Sequence, residues 1–242
     1  MTLSLHLYKR MMRRGRVIAL LLLSAVSGLV YWLSAFDADP ADQSAIYADV
    51  VTTSGFSYAI AALIITVATL REERDGGTLP YIYMRPISRL SIAVSSMVAA
   101  IAAASTLAVG AWVATVLAAT AAGADLSFVM PGLTLFVAAA VGYAAVFVPL
   151  GYLVPRATLV GLGYIVVGET ILGSAIEGLA HLSIWRISAS IYADLAPALG
   201  EEAQELLGPL TPDVGGGLIK LGSILVVGMT VLVWALRRRD AL

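Results

Sequence analysis

An all-α integral membrane protein with six transmembrane helices is the fold class that this sequence predicts. Three observations predict it. The 242 residues are 60% hydrophobic and only 13% charged, whereas ordinary soluble domains carry about 25% charged residues, and the mean hydropathy is +0.90. Six stretches approach or exceed the roughly 20 apolar residues that carry a helix across a hydrocarbon core. The basic residues gather in alternate connections between those stretches.

In chain order, residues 1–16 read as a basic amphipathic helix in the membrane interface. Leu7, Tyr8, Met11 and Met12 share one side of a helical wheel, and Lys9, Arg13 and Arg16 lie opposite. The alternative is a disordered basic flank that only sets topology. Spans follow at 17–36, 46–70, 91–122, 128–154, 157–179 and 217–236, none with Lys or Arg in its central part. The first is longer than the 7–15 apolar residues of a typical signal peptide, and no clear A-x-A site follows, so it reads as an uncleaved span. The third supplies about 45 Å of helix and must tilt or project beyond the bilayer. The whole chain reads as one transmembrane domain, 1–242.

Five basic residues precede span one (Lys9, Arg10, Arg13, Arg14, Arg16) and four lie between spans two and three (Arg71, Arg74, Arg85, Arg89). Arg156 falls between spans four and five, and Arg237, Arg238 and Arg239 follow span six. Those are 13 of the 15 Lys and Arg residues; only Arg186 and Lys220 lie elsewhere. The positive-inside rule then places both termini in the cytoplasm of a multi-pass plasma-membrane protein.

Small residues recur at helical spacing, as in Ser24/Gly28, Gly55/Ala59, Ala100/Ala104/Ala108, Ala138/Gly142 and Thr170/Ser174/Gly178. Such rows let helix backbones approach closely in lipid, so the spans should pack as a bundle. Pro149 should kink span four. No inverted repeat is visible, which weighs against a secondary transporter. Residues 180–216 are long for a plain connector. They read as one or two short amphipathic extracellular helices lying at, or dipping into, the outer interface, punctuated by Pro197, Gly200, Gly208, Pro209 and Pro212.

Residues 71–90, between spans two and three, form the most charged internal stretch. Arg71, Glu72, Glu73, Arg74 and Asp75 extend span two out of the lipid. Gly76 and Gly77 should end that helix through a left-handed C-cap. Thr78 can cap a short helix that tolerates Pro80 in its first turn and presents Leu79, Tyr81, Ile82 and Met84. Pro86 stops it, and Ser88 can cap span three. The expected product is a rigid cytoplasmic knob suited to a groove on a partner; the alternative is a basic loop that only sets topology.

The pattern E-x-x-x-G-T-L followed by R-P-x-S-R resembles the cytoplasmic loop of ABC-2 type transporter permeases. Here it comprises Glu73, Gly77, Thr78, Leu79, Arg85, Pro86, Ser88 and Arg89. The layout of interfacial helix, six spans and extracellular excursion is also similar to that family, with Pro80 a departure. The resemblance implies a permease subunit that forms a homo- or heterodimer and pairs with two copies of a cytoplasmic ATP-binding cassette ATPase. It also implies that the loop, Glu72 through Arg89, is the coupling helix that receives the ATP-driven stroke. No G-x-x-x-x-G-K-[ST] phosphate loop occurs in the sequence, so ATP and Mg²⁺ belong on the partner and this chain carries no cofactor of its own. Two histidines and no cysteine argue against a metal centre, and nothing in the charge pattern suggests nucleic acid.

Glu169 lies near the middle of span five, where a charge costs about 2.5–3.5 kcal/mol on insertion scales. It therefore faces the bundle interior, is protonated, or meets water. It is either a pathway residue or a hydrogen-bonded structural carboxyl; an ion-coupled carrier built on it is the rival function. Another rival keeps the ATPase partner but gives the pair a mechanical or regulatory output. A serine enzyme built on Ser54 and His181 is a third, weaker reading. The apolar spans suit a hydrophobic or amphipathic cargo.

Overall fold

The computed structural model describes residues 3–40, 42–76, 88–172, 181–196, 207 and 210–238. Among them the regular elements are all helical: α1 (Leu3–Met11), α2 (Arg14–Ser24), α3 (Val26–Ala35), α4 (Gln43–Ser54), α5 (Phe56–Asp75), α6 (Arg89–Ala121), α7 (Gly132–Leu153), α8 (Ala157–Gly163) running into a π-helix (Tyr164–Leu172), α9 (Ile184–Leu195) and α10 (Val214–Arg238). Five stretches are long and apolar enough to cross a membrane: Arg14–Ala35, Gln43–Arg74, Arg89–Ala121, Gly132–Leu153 and Val214–Arg238. The span expected at 157–179 is described only to Leu172, as α8 and the π-helix.

Two spans consist of paired helices joined at one residue. Ala25 joins α2 to α3, and the backbone bonds Ala25 N–Leu21 O (2.9 Å) and Leu29 N–Ala25 O (3.1 Å) cross the junction. Gly55 joins α4 to α5 in the same way, with Gly55 N–Val51 O at 3.1 Å. Each pair therefore remains one hydrogen-bonded stretch of membrane-crossing length.

Helix α7 occupies the centre, packed by α5, α6, α9 and α10. Leu135, Phe136, Ala139, Ala140, Tyr143 and Phe147 are all buried, as an apolar helix enclosed on every side requires. Helices α2 and α10 form the periphery, where Leu22, Ile219 and Val226 are exposed. Alanine and glycine set the spacing inside: a Cβ on Gly28 would come within 2.7 Å of the Ala114 backbone on α6. Pro149 lies within α7. It cannot donate to Ala145 O, and that carbonyl instead meets the bare Cα of Gly228 on α10.

The reading of the N-terminal segment needs correction. The amphipathic N-terminal helix does not reach residue 16. It ends at Met11, and Arg16 belongs to the first turns of α2. Leu7 and Met11 are buried against the bundle as the wheel suggests, but Arg16 turns toward protein rather than away from it. Gly76 is the C-cap of α5, with φ −81° and ψ 0°; Gly77, the following position that a left-handed cap would use, lies outside the described residues.

Helix α9 is no surface helix. Every residue from Ile184 to Ala193 except Arg186 is buried. Trp185 lies against Gly55, Ile184 against Gly142 and Ile191 against Gly217, so α9 is wedged among three spans. Its hydroxyls all find backbone acceptors, which makes their burial tolerable, while Trp185 Nε1 is buried without an acceptor among the described residues. Ser188 Oγ donates to Ile184 O at 2.8 Å, Ser190 Oγ to Thr211 O at 2.6 Å, and Tyr192 Oη to Phe128 O at 2.5 Å. Asp194 then accepts from Val214 N at 3.0 Å, joining the end of α9 to the start of α10.

Candidate functional site

Two constructions stand out: an ion-paired junction at the basic end of the bundle and a buried carboxyl near its middle.

At the basic end the last turn of α5 carries Glu72 and Glu73. Glu73 is 2% exposed. Arg10 Nη1 on α1 donates to Glu73 Oε1 at 2.5 Å, and Arg10 Nη2 donates to the Glu72 carbonyl at 3.2 Å. Arg16, at the start of α2, pairs with Glu72. On the other side of α5, Arg74 Nη1 donates to Tyr152 O at the end of α7, 2.8 Å away. Met11 Sδ accepts from Thr69 Oγ1 at 3.1 Å, and Tyr8 Oη lies 3.1 Å from Thr106 Oγ1 on α6. A buried carboxylate must be matched and hydrogen-bonded to be tolerated, and Arg10 does both. The end of α5 is thereby tied to α1, α2 and α7 just before the chain enters 77–87.

Beyond that segment Ser88 begins α6 as its N-cap. Its Oγ accepts from Ser91 N at 3.1 Å, and Arg89 is the first residue of the helix. Of the residues read as the coupling segment, Glu72, Glu73, Gly76, Ser88 and Arg89 are described. Gly77, Thr78, Leu79, Arg85 and Pro86 lie outside the described residues. Sequence reasoning assigned Arg10 to topology and Arg16 to topology and the polar face of the interfacial helix, and did not foresee that they face Glu72 and Glu73. The only available signal was a pair of adjacent acids at a span end with arginines nearby in the opening segment.

Near the middle, Glu169 projects from the π-helix. Tyr143 Oη on α7 donates to Glu169 Oε2 at 2.6 Å. The Tyr164 hydroxyl and the backbone N–H groups of Ile184 and Trp185, at the start of α9, border the same carboxyl. Oε1 is buried without a partner at hydrogen-bonding geometry among the described residues. Half-buried Arg186 lies within Coulombic range. An aromatic wall holds the two tyrosines: Tyr143 stacks on Phe147 at 5.5 Å with rings 2° from parallel, and Phe147 meets Tyr164 edge-on at 6.0 Å. The ring of Tyr164 covers Gly168, where an added Cβ would stand 3.2 Å from it. A π-helix displaces side chains from α-helical register and recurs at functional sites; here it carries the one acidic residue of the segment. The site can bind, donate or pass a proton or cation, and it can equally lock α7, α9 and the π-helix together. Tyr143, a hydroxyl in the middle of an apolar span, was the overlooked signal.

His181 Nδ1 lies 3.5 Å from Lys220 Nζ, a contact between α10 and the residues before α9.

A family model described as an ABC-2 family transporter protein matches residues 10–168. The chain belongs to that family. This ABC-2 family protein is thus a multi-pass membrane permease of an ABC transporter, of a kind that works beside an ATPase subunit and is not itself catalytic. The match begins at Arg10, inside the ion-paired junction, and ends one residue before Glu169, leaving α9 and α10 beyond it. No curated protein matches the chain.

Proposed function

We propose that this ABC-2 family permease is the membrane half of an ATP-driven exporter of hydrophobic or amphipathic molecules. It acts as a dimer on two ATPase subunits in the plasma membrane, with both termini cytoplasmic. The observation that carries the reading is the buried Arg10–Glu73 pair. The segment 71–90 is the coupling element, and a push on it reaches α5 at a point already fastened to α1, α2 and α7. Glu73 is turned inward, so it serves the coupling by fastening α5, while Gly77, Thr78, Leu79, Arg85 and Pro86 supply the contact with the ATPase. An apolar groove of about 420 Å³ between α7 and α10, lined in part by Val146, Pro149, Leu150, Ile224 and Val227, supports an apolar cargo.

The test is co-purification from detergent followed by ATPase assay in vesicles. The wild-type chain should bring down an ATPase. Replacing Gly77 and Thr78 with bulky residues should release it while leaving the permease folded. Retention of the ATPase by that variant would remove the coupling assignment. Flux driven by an ion gradient without ATP would instead favour a carrier built on Glu169, whose unpartnered Oε1 is the observation on that side. ATPase coupling without cargo flux would indicate a mechanical or regulatory output.

A further inference from the structure

We propose that the basic end carries a binding site for the headgroup of an anionic phospholipid. A groove of about 510 Å³ opens where α1, α2 and α5 meet. Arg10, Arg13, Arg16 and Arg71 line it, against the single carboxylate of Glu72. That carboxylate is already engaged by Arg16, and the next one, Glu73, by Arg10, so the lining holds a clear excess of positive charge. Arg16 Nη1 is a buried donor without a hydrogen-bond acceptor among the described residues; Arg10 Nε also lacks a hydrogen bond, with Glu72 Oε2 3.8 Å away. Buried guanidinium donors are costly when left unmatched, and a phosphate suits their planar fork. Arg13 is the N-cap of α2 and places no side chain over the free backbone N–H groups of that helix, which adds to the attraction for an anion.

The floor of the groove identifies the anion's source. Ile64, Val67 and Ala68 form it, and all three lie on a membrane-spanning stretch. Exposed apolar side chains also occur on the neighbouring helices: Ile18 and Leu22 on α2, Leu159 on α8. A free phosphate or nucleotide gains nothing from such a floor, and an acidic protein surface does not extend into hydrocarbon. A phospholipid uses both parts, with phosphate among the arginines and acyl chains along the floor. Basic pockets beside membrane helices bind anionic headgroups on this principle.

Native mass spectrometry of the purified full-length chain in detergent tests the proposal, with phosphatidylglycerol, phosphatidylcholine and inorganic phosphate as probes. Phosphatidylglycerol should give a saturable adduct that phosphatidylcholine does not. Arg13→Gln and Arg71→Gln should each weaken it about fivefold, roughly what one arginine contributes near an anionic surface. Millimolar phosphate should not displace it. Equal retention of the two lipids, or wild-type binding by the double variant, would overturn the proposal. Full displacement by phosphate would reassign the groove to a soluble anion. Loss of ATPase co-purification in the double variant with lipid binding intact would reassign it to a protein partner. Should the double variant fail to fold, the single Arg13→Gln at its exposed position still decides the matter.

Discussion

The indole of Trp185, on α9, packs directly against the bare Cα of Gly55 at the joint between α4 and α5. No side chain fits at residue 55 without displacing that ring. The wedge helix and the mid-span joint are therefore one structural unit.

Gly55→Ala should consequently destabilise the protein by about 1–3 kcal/mol, the usual range for overpacking a filled core. A thermal melt in detergent measures it. Trp185→Phe should recover part of the loss in the double variant, because the smaller ring leaves room for a methyl group; additive losses would show that the two residues do not share the space.

Removing one member of the Arg10–Glu73 pair strands a buried charge. Arg10→Ala should cost about 3–5 kcal/mol. Arg10→Gln combined with Glu73→Gln should cost markedly less than the two single changes together, because neither leaves an unmatched ion. A double-mutant cycle on unfolding free energies reads the coupling directly.

Glu169→Gln should alter transport-stimulated ATPase activity more than Glu177→Gln, a change at the other acid of the stretch 157–179 read as span five. Tyr143→Phe should reproduce the effect of Glu169→Gln in direction, since it removes the donor 2.6 Å from the carboxyl. Equal and negligible effects of all three changes would leave Glu169 a structural carboxyl only.

Ser88→Ala removes the side-chain acceptor from the first turn of α6. A loss of about 1 kcal/mol is expected, and Ser88→Asp should largely restore stability because its carboxylate can accept the same bond. Melting temperatures of the three proteins compare them.

Much of this architecture was legible in the amino-acid order. Hydropathy and length are local properties, so the stretches read as spans one to four and six coincide with helices of crossing length. The Ser88 cap was equally local, being a hydroxyl three residues from the amide it accepts. The motif Glu73 through Arg89 resembled the family whose model then matched residues 10–168. The end of α1 at Met11 was not legible, because a helical wheel has no term for where a helix stops. The burial of α9 was not legible either. Serines are polar by composition, and only the folded helix reveals that Ser188 and Ser190 spend their hydroxyls on backbone carbonyls.

By itself the sequence determined that the chain is a multi-helix membrane protein and which stretches are long and apolar enough to cross, because desolvating a long apolar run is favourable whatever its neighbours are. Only the tertiary structure decided that Arg10 faces Glu73, that Tyr143 reaches Glu169 and that Trp185 fills the space over Gly55. Each of those pairs joins residues far apart in the chain, and the free energy of a contact depends on distances that no local pattern encodes.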